Sequence, residues 1–424
     1  MRSFLWIKKM TDQVKWFSSK NINAPQLSNT WGCMISVLDA CLVTGFGSQL
    51  TSSLVVDDGV AIATFGSNHN IEQFQWIEIS GSNIAELNTE FKVLGVTSNT
   101  LEFLVDLPDQ VVSGTISCKL ASAGWTKTFS GADKAVYQAK DIAANPYFLR
   151  VDNSLDTVYT TTYAKFAKVG ILESCTGIDD IGGNQAPFDS TNPTKNWVGT
   201  GSGATAINGW AKWYYATTID SNVQSTWTEA NAARNGDRDW VLVATKDSFF
   251  ILPSVAPNTS NDNYRHCATA YGFGVFEGWD IPFLSAQIQY ASVNASRGYS
   301  GAGTTFCSSS FNGLILLKDT KGGYQPDTFT RVNFTLASNG YTGNLSVFQR
   351  NTGDNIYHCP FLCIDKSNYL IGEPPLLRCV MNETASTEPA YALFTEDNRA
   401  YLKRRFLGDS LRFGSILIDL GEVY

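Results

Sequence analysis

The residues best suited to chemistry are the three histidines, His69, His266 and His358. Two of them directly precede a cysteine, at Cys267 and Cys359. Nucleophilic catalysis needs a cysteine or serine that faces an imidazole, which a third group must orient. Because neighbouring side chains on a strand point to opposite faces, a His-Cys dipeptide is a poor catalytic pair. We therefore predict no catalytic site at these histidines.

The spacing His358-Cys359-x3-Cys363 is typical of half a zinc site. A structural zinc ion takes four ligands, commonly from two such halves, so Cys379 or the distant Cys267 would have to complete the set. The surrounding segment YHCPFLCID is apolar, and buried thiols explain it more simply. We predict neither a metal nor any other cofactor.

Paired carboxylates occur at Asp57-Asp58 and Asp179-Asp180. The first pair precedes Gly59 and suits a hairpin turn, and the second lacks the alternating oxygen ligands of a calcium loop. A glycosidase needs two carboxylates held across a sugar ring, usually from distant strands, which one sequence cannot identify. The glycine-rich stretches lack the lysine of a phosphate-binding loop. We predict that the chain is not an enzyme, and a glycan depolymerase remains an alternative.

Aromatic residues are concentrated in the segment WAKWYY, which begins at Trp210. Exposed, such side chains would stack on sugar rings or anchor a protein partner, whereas buried they would belong to a core or subunit interface. Two further aromatic patches, FLWI and VKWF, lie near the start of the chain. The candidate interaction residues are Trp210, Trp213, Tyr214, Tyr215, Trp6 and Trp16.

Charge and cysteine content restrict the class of protein. The chain has 424 residues, of which only 17% are charged, and its net charge is −8. A negative chain lacks the basic surface that nucleic acid requires, and Lys403-Arg404-Arg405 is an isolated cluster. The nine cysteines are odd in number and scattered, which favours free thiols formed in a reducing cytosol. No apolar run is long enough for a signal core or a membrane span.

One helix and many strands must position these residues. Apolar residues between Met34 and Leu42 recur at helical spacing, so we predict one amphipathic helix over residues 31–43. Asn29 or Thr30 is expected to cap its start and Gly45 to end it. Its one carboxylate, Asp39, has no evident partner.

The rest of the sequence alternates short apolar runs with turns. Hairpins are predicted around Asp57-Asp58-Gly59 and around Lys246-Asp247. The fold class is mainly β, with two or three sandwich-like units, long loops and one short helix near the N-terminus. We divide the chain into an N-terminal arm (1–24), a helix-led β-domain (25–130), a joint and loop-rich region (131–239) and a C-terminal β-rich domain (240–424).

Four short segments between residues 13 and 152 carry a resemblance to known proteins. They are Leu38-Asp39-Ala40-Cys41-Leu42, Gly124-Trp125, Phe129-Ser130-Gly131 and Leu149-Arg150-Val151-Asp152. Together they resemble a poorly characterised family of structural proteins from the tail region of tailed bacteriophages. The later chain is only weakly similar, and Gly274 stands where that family has an aspartate. The resemblance implies a virion component and implies no catalytic residues.

We therefore expect an oligomeric structural protein of the phage tail or baseplate, made in the host cytoplasm and located in the virion. Its expected partners are other virion proteins and further copies of itself, with no nucleic acid and no membrane span. The first alternative is a protein at the tail tip that binds a host-surface glycan or pilus. The arm 1–24 is expected to pack on its own domain or to reach a neighbouring subunit.

Overall fold

The computed structural model describes the chain from residue 13 onwards, with gaps. Of the described residues, 49% lie in strands and 6% in helices, which confirms the prediction of a mainly β fold with one short helix near the N-terminus. Trp6 lies outside the described residues. The described ranges are 13–181, 184–203, 206–217, 226–227, 229, 231–254, 257, 270–276, 281–288, 299–300, 313–317, 358–360, 363–364, 370–380, 391–407 and 413–424.

The helical elements are helix α1 (Cys33–Leu38), a π-helical turn (Asp39–Thr44) and a 3-10 turn (Ala85–Leu87). The strands of the first half are β1 (Lys15–Ser18), β2 (Phe46–Asp57), β3 (Val60–Phe65), β4 (Trp76–Ser82), β5 (Glu90–Lys92), β6 (Gly95–Val96), β7 (Thr100–Leu104), β8 (Gln110–Val111), β9 (Gly114–Leu120), β10 (Thr126–Gly131), β11 (Lys134–Gln138), β12 (Phe148–Asp152), β13 (Lys165–Leu172), β14 (Gln185–Ala186) and β15 (Ala211–Ala216). The later strands are β16 (Thr226–Trp227), β17 (Trp240–Ala244), β18 (Phe249–Pro253), β19 (Tyr271–Val275), β20 (Pro282–Ile288), β21 (Tyr299–Ser300), β22 (Gly313–Leu317), β23 (His358–Pro360), β24 (Cys363–Ile364), β25 (Leu370–Gly372), β26 (Leu377–Val380), β27 (Tyr391–Glu396), β28 (Arg399–Leu407) and β29 (Phe413–Glu422).

The first sheet, here called the N-terminal sheet, has the order β5-β4-β9-β2-β3-β7-β6, with β8 beside β2. Its β2–β3 hairpin confirms the turn predicted at Asp57-Asp58-Gly59, because Asp58 and Gly59 both have the positive φ that a two-residue hairpin loop requires. Strand β5 pairs with β4, and β6 pairs with β7 only a few residues later. The single segment 90–96 therefore brings the two ends of the sheet together, and the sheet is strongly curled.

The second sheet, here called the central sheet, has the order β1-β17-β18-β19-β20-β15-β13-β12-β11-β10, with β14 beside β13 and β22 beside β20. It includes the predicted hairpin at Lys246-Asp247, formed by β17 and β18. The sheet spans the predicted domain divisions at 130/131 and 239/240, because residues far apart in the chain pair within it. Residues 15–18 of the predicted arm also belong to it, through the pairing of β1 with β17.

Both faces of the central sheet are covered. On β17 and β18, Leu242 and Ile251 join a core shared with helix α1 and the N-terminal sheet. Their neighbours Val243 and Phe250 point the other way, into a second core. That second core is completed by the C-terminal sheet, which has the order β23-β26-β29-β28-β27. The result is a sandwich in which the central sheet is the inner layer.

Helix α1 begins at Cys33, two residues later than predicted, and neither Asn29 nor Thr30 caps it. The N-cap position is Gly32, whose φ of 85° is left-handed. A Cβ there would lie 2.3 Å from Asp133 Oδ1, so only glycine fits. The cap comes from a distant residue, since the Met34 amide donates to Asn153 Oδ1 at 3.0 Å.

Asn153 connects the helix to strands β13 and β15 of the central sheet and to the turn between β10 and β11. Its amide nitrogen Nδ2 donates to the Phe166 carbonyl at 2.8 Å and to the Tyr215 hydroxyl at 2.9 Å. The backbone carbonyl of Asn153 accepts from the Gly32 backbone amide, and the backbone amide of Asn153 donates to the Asp133 carbonyl. The residue is fully buried, so each of these polar groups depends on it for a partner.

We expect Asn153→Ala to lower the free energy of unfolding by roughly 3 kcal/mol, because it leaves buried donors and acceptors unpaired. Chemical denaturation of the wild-type and variant chains measures this difference. The matched control is Asn68→Ala, at an exposed asparagine that accepts one local hydrogen bond from Asn70. Equal stability of the two variants would contradict the role assigned to Asn153.

Candidate functional site

The aromatic cluster lies in the core. Trp210, Trp213, Tyr214 and Tyr215 are each at most 5% exposed. The Trp213 ring is stacked on Tyr271 at 5.9 Å, and its Nε1 donates to the Ser285 carbonyl. This placement corresponds to the core alternative, because the side chains are covered on both faces of the central sheet and present no surface to a partner.

Trp16 is likewise buried, on strand β1 in the second core. Its ring lies 6.4 Å from that of Tyr391 on the C-terminal sheet. The interaction candidates chosen for their aromatic character are therefore interior residues wherever the structure describes them. The physical reason is that β1 and β15 belong to the central sheet, where other layers of the fold cover their large side chains.

The histidine of the His358-Cys359-x3-Cys363 spacing has protein partners. His358 Nδ1 accepts from Arg378 Nε at 2.6 Å, and its Nε2 lies 3.3 Å from Glu396 Oε2. Both ring nitrogens are thus engaged. The parts of the chain that the structure describes contain no group of three His, Cys, Asp or Glu side chains arranged to hold a metal. His266 and Cys267 lie outside those parts.

The expectation that Asp39 has no partner is wrong. Its Oδ1 accepts from the Tyr137 hydroxyl at 2.8 Å, and its Oδ2 accepts from Lys127 Nζ at 2.7 Å. Burial, reinforced by Asp39, raises the pKa of Tyr137 far above its usual range. The carboxylate therefore holds the helical segment against β10 and β11.

The most distinctive surface is an apolar face on the outside of the N-terminal sheet. Alternation along each strand sends Leu54, Val56, Ala61, Ala63 and Phe103 inward, into the core. Their neighbours point outward. The apolar face consists of Val55, Val60, Ile62, Leu104 and Val111.

Strand register places these five residues side by side. Val55 pairs with Ile62 on one side and with Val111 on the other, and Val60 pairs with Leu104. Four adjacent strands, in the order β8-β2-β3-β7, thus contribute to one patch. Val111 is 77% exposed and Leu104 is 52% exposed. Contiguous exposed apolar side chains of this kind mark contact surfaces.

Carboxylates surround the apolar face. Between Lys20 and Lys119 the sequence has ten carboxylates and a single Lys or Arg, which is Lys92. Five of these carboxylates are exposed on the strands and turns that form the face, so its potential is negative. They are Asp57, Asp58, Glu102, Asp106 and Asp109.

A groove of about 520 Å³ adjoins the apolar face at Leu104. One wall comes from β4 and β5, the other from the end of β29, and Gln13 and Val14 lie at its edge. Lys92 Nζ donates to the backbone carbonyls of Leu420 and Glu422 across the groove. Burial, together with Arg399 nearby, lowers the pKa of Lys92 to about 8. The lysine thereby attaches the C-terminal strand to the N-terminal sheet.

A comparison of the chain with protein-family models and with curated proteins finds no match. Among the described residues, no helix is long and apolar enough to cross a membrane. The apolar face therefore stands on geometry alone as the candidate functional site.

Sequence analysis did not identify this face. The signal was present, because Leu104 follows the inward Phe103 directly and Val55 precedes the inward Val56. Apolar residues at successive positions of a strand place apolar side chains on both faces of the sheet. Such a strand is typical of a sheet that is covered on both faces. The structure supplies a cover for one face of the N-terminal sheet, and its outer face is exposed.

We expect the stability of the chain to rise between pH 8 and about 10.5 through Lys92. Its folded pKa is lowered, so in this window the unfolded chain binds the extra proton, and stability increases as that proton is lost. Denaturation of the wild-type and Lys92→Met chains across this range isolates the contribution, because the other titrating groups are common to both. The same pH slope in both chains would contradict the assignment.

Proposed function

We propose that the chain is a structural component of a bacteriophage virion, in the tail or baseplate, and that it acts through protein–protein contacts. The resemblance of residues 13–152 to structural proteins of phage tails supports the class. The observation that carries the proposal is the apolar face, whose five aliphatic side chains lie on four adjacent strands and include the exposed Leu104 and Val111.

The physical character of the apolar face suits assembly. Removal of Leu104, Val111 and their neighbours from water supplies a favourable free energy that grows with the buried area. The strands beneath are paired with one another by ladder hydrogen bonds, and β2, β3 and β7 also place side chains in the core below. A preorganised surface loses little conformational entropy on binding, so more of the contact energy contributes to affinity.

The surrounding carboxylates suit selective assembly. Charged groups around an apolar patch contribute mainly to partner choice and association rate. A partner with basic residues at its border would be attracted, and one with acidic residues would be repelled. The alternative of host-surface binding relied on exposed aromatic residues, and those that the structure describes are interior.

The location in the particle is tested directly by negative-stain imaging of virions labelled with an antibody to this chain. We expect label at the tail or baseplate. Label confined to the head, or particles without label that nonetheless infect, would refute the proposal. A glycan-degradation assay with host polysaccharide tests the depolymerase alternative on the same material.

We expect Leu104→Asp combined with Val111→Asp to reduce incorporation into particles at least tenfold, because two carboxylates would enter an apolar contact. Quantitative immunoblotting of purified particles measures this. The control pair is Leu155→Asp with Val198→Asp, at apolar residues exposed elsewhere on the chain. Thermal melts should be unchanged in both pairs, and equal incorporation of both would exclude the apolar face as the contact.

A further inference from the structure

We propose that the apolar face binds residues 1–12 of a neighbouring copy of the chain. This inference rests on the proposed function, because it names the partner of the same surface. The aliphatic side chains of the face favour an apolar partner, and the surrounding carboxylates favour a basic one.

The sequence of residues 1–12, MRSFLWIKKMTD, has the required composition. Four consecutive apolar residues, Phe4 to Ile7, are flanked by Arg2 on one side and by Lys8 and Lys9 on the other. Three cations stand against one carboxylate in this segment, although the chain as a whole has a net charge of −8. Its charge is thus opposite in sign to that of the border around the apolar face.

Two other occupants from the same chain fit less well. A second apolar face would bring exposed carboxylates such as Glu102 and Asp106 towards their own copies, and like charges repel. The other basic cluster begins with Lys403 and Arg404, which are 5% and 4% exposed on β28. Those side chains are committed to the C-terminal sheet, so residues 1–12 are the basic and apolar segment that suits the face.

The dimensions also agree. Four adjacent strands at about 4.8 Å spacing make the apolar face roughly 14 Å wide. An extended run of four or five residues, such as Phe4 to Lys8, spans about 14 to 16 Å. It could therefore cross the strands from β7 to β8 and place apolar side chains on Leu104 and Val111.

The place where the described chain begins allows residues 1–12 to reach the apolar face of a neighbouring copy. Gln13 lies at the edge of the groove that Leu104 also lines, so residues 1–12 start beside the apolar face. Twelve extended residues reach about 40 Å, enough to leave one copy and lie on the next. In a repeating assembly each copy would then offer one segment and receive another.

A charge-exchange experiment on full-length chains tests the proposal. One variant carries Lys8→Glu and Lys9→Glu, which gives its segment the same sign as the face. The other carries Glu102→Lys and Asp106→Lys, which leaves three carboxylates and two lysines on its border and so removes most of the negative charge that attracts the segment. We expect each variant alone to self-associate at least tenfold more weakly than the wild-type chain in sedimentation velocity. An equimolar mixture should recover association, because the unchanged basic segment of the second variant then meets the unchanged acidic face of the first.

The matched control for the face variant is Glu86→Lys with Glu373→Lys, which makes the same change of charge at exposed positions elsewhere. On its own, this control should self-associate as strongly as the wild-type chain, because it retains both the basic segment and the acidic border of the face. Raised salt should weaken the recovered complex, since its specificity is electrostatic. A mixture of the first two variants that associates no better than either alone would overturn the proposal, and so would a wild-type chain that stays monomeric at about 100 µM.

The proposed virion function and the proposed binding of residues 1–12 can be refuted independently. Antibody label on the tail with no recovery in the mixture would retain the virion function and reject residues 1–12 as the partner. Recovery in the mixture with no label on particles would retain the contact and reject the virion location.

Discussion

The fold depends on one constraint, which is that strands β17 and β18 are apolar on both faces. Every residue of Trp240–Ala244 and of Phe249–Pro253 is buried. Because neighbouring side chains point in opposite directions, such strands are stable only when a layer covers each face. The C-terminal sheet covers one face, and helix α1 with the N-terminal sheet covers the other. Segments from both ends of the chain must therefore meet on the central sheet, which explains why it does not divide at the composition changes near residues 130 and 239.

Polar contacts decide how the covering layers are oriented. Asn153 fixes the start of the helix, and Asp39 fixes its continuation against Tyr137 and Lys127. Farther along the central sheet, a buried ion pair joins Lys212 Nζ to Glu229 Oε2 at 2.8 Å. Burial lowers the pKa of Lys212, so its charge depends on that carboxylate. Hydrophobic burial supplies most of the free energy, while these directional contacts select one arrangement among several compact ones.

The parts of the fold that sequence predicts are those decided by neighbouring residues. The hairpin turns at Asp58-Gly59 and Lys246-Asp247 follow from local turn chemistry, and the helix follows from apolar spacing. Pairings between distant segments, such as β1 with β17, depend on register set by the assembled core, which no local pattern specifies. The helix cap was missed for the same reason, because Asn153 is 119 residues away from Met34. The burial of the Trp210 to Tyr215 segment was undecided because aromatic residues suit a core and an interface equally.

The candidate site shows why exposure, and not residue type, identifies a contact surface in this molecule. Tryptophan and tyrosine are the usual anchors of interfaces. Here Trp16 and the aromatic residues of the Trp210 to Tyr215 segment are buried and pack between the layers of the fold. The exposed apolar area comes from Val111 and Leu104, aliphatic residues on an outer sheet. The segment between Lys20 and Lys119, which includes the strands of this sheet, has ten carboxylates and one Lys or Arg. Such a border keeps identical faces apart in solution by repulsion, so the apolar surface can remain exposed until a basic partner covers it. An apolar patch with an acidic border is thus a physical solution to a general problem of assembly proteins, which must bind strongly at one place without aggregating everywhere else.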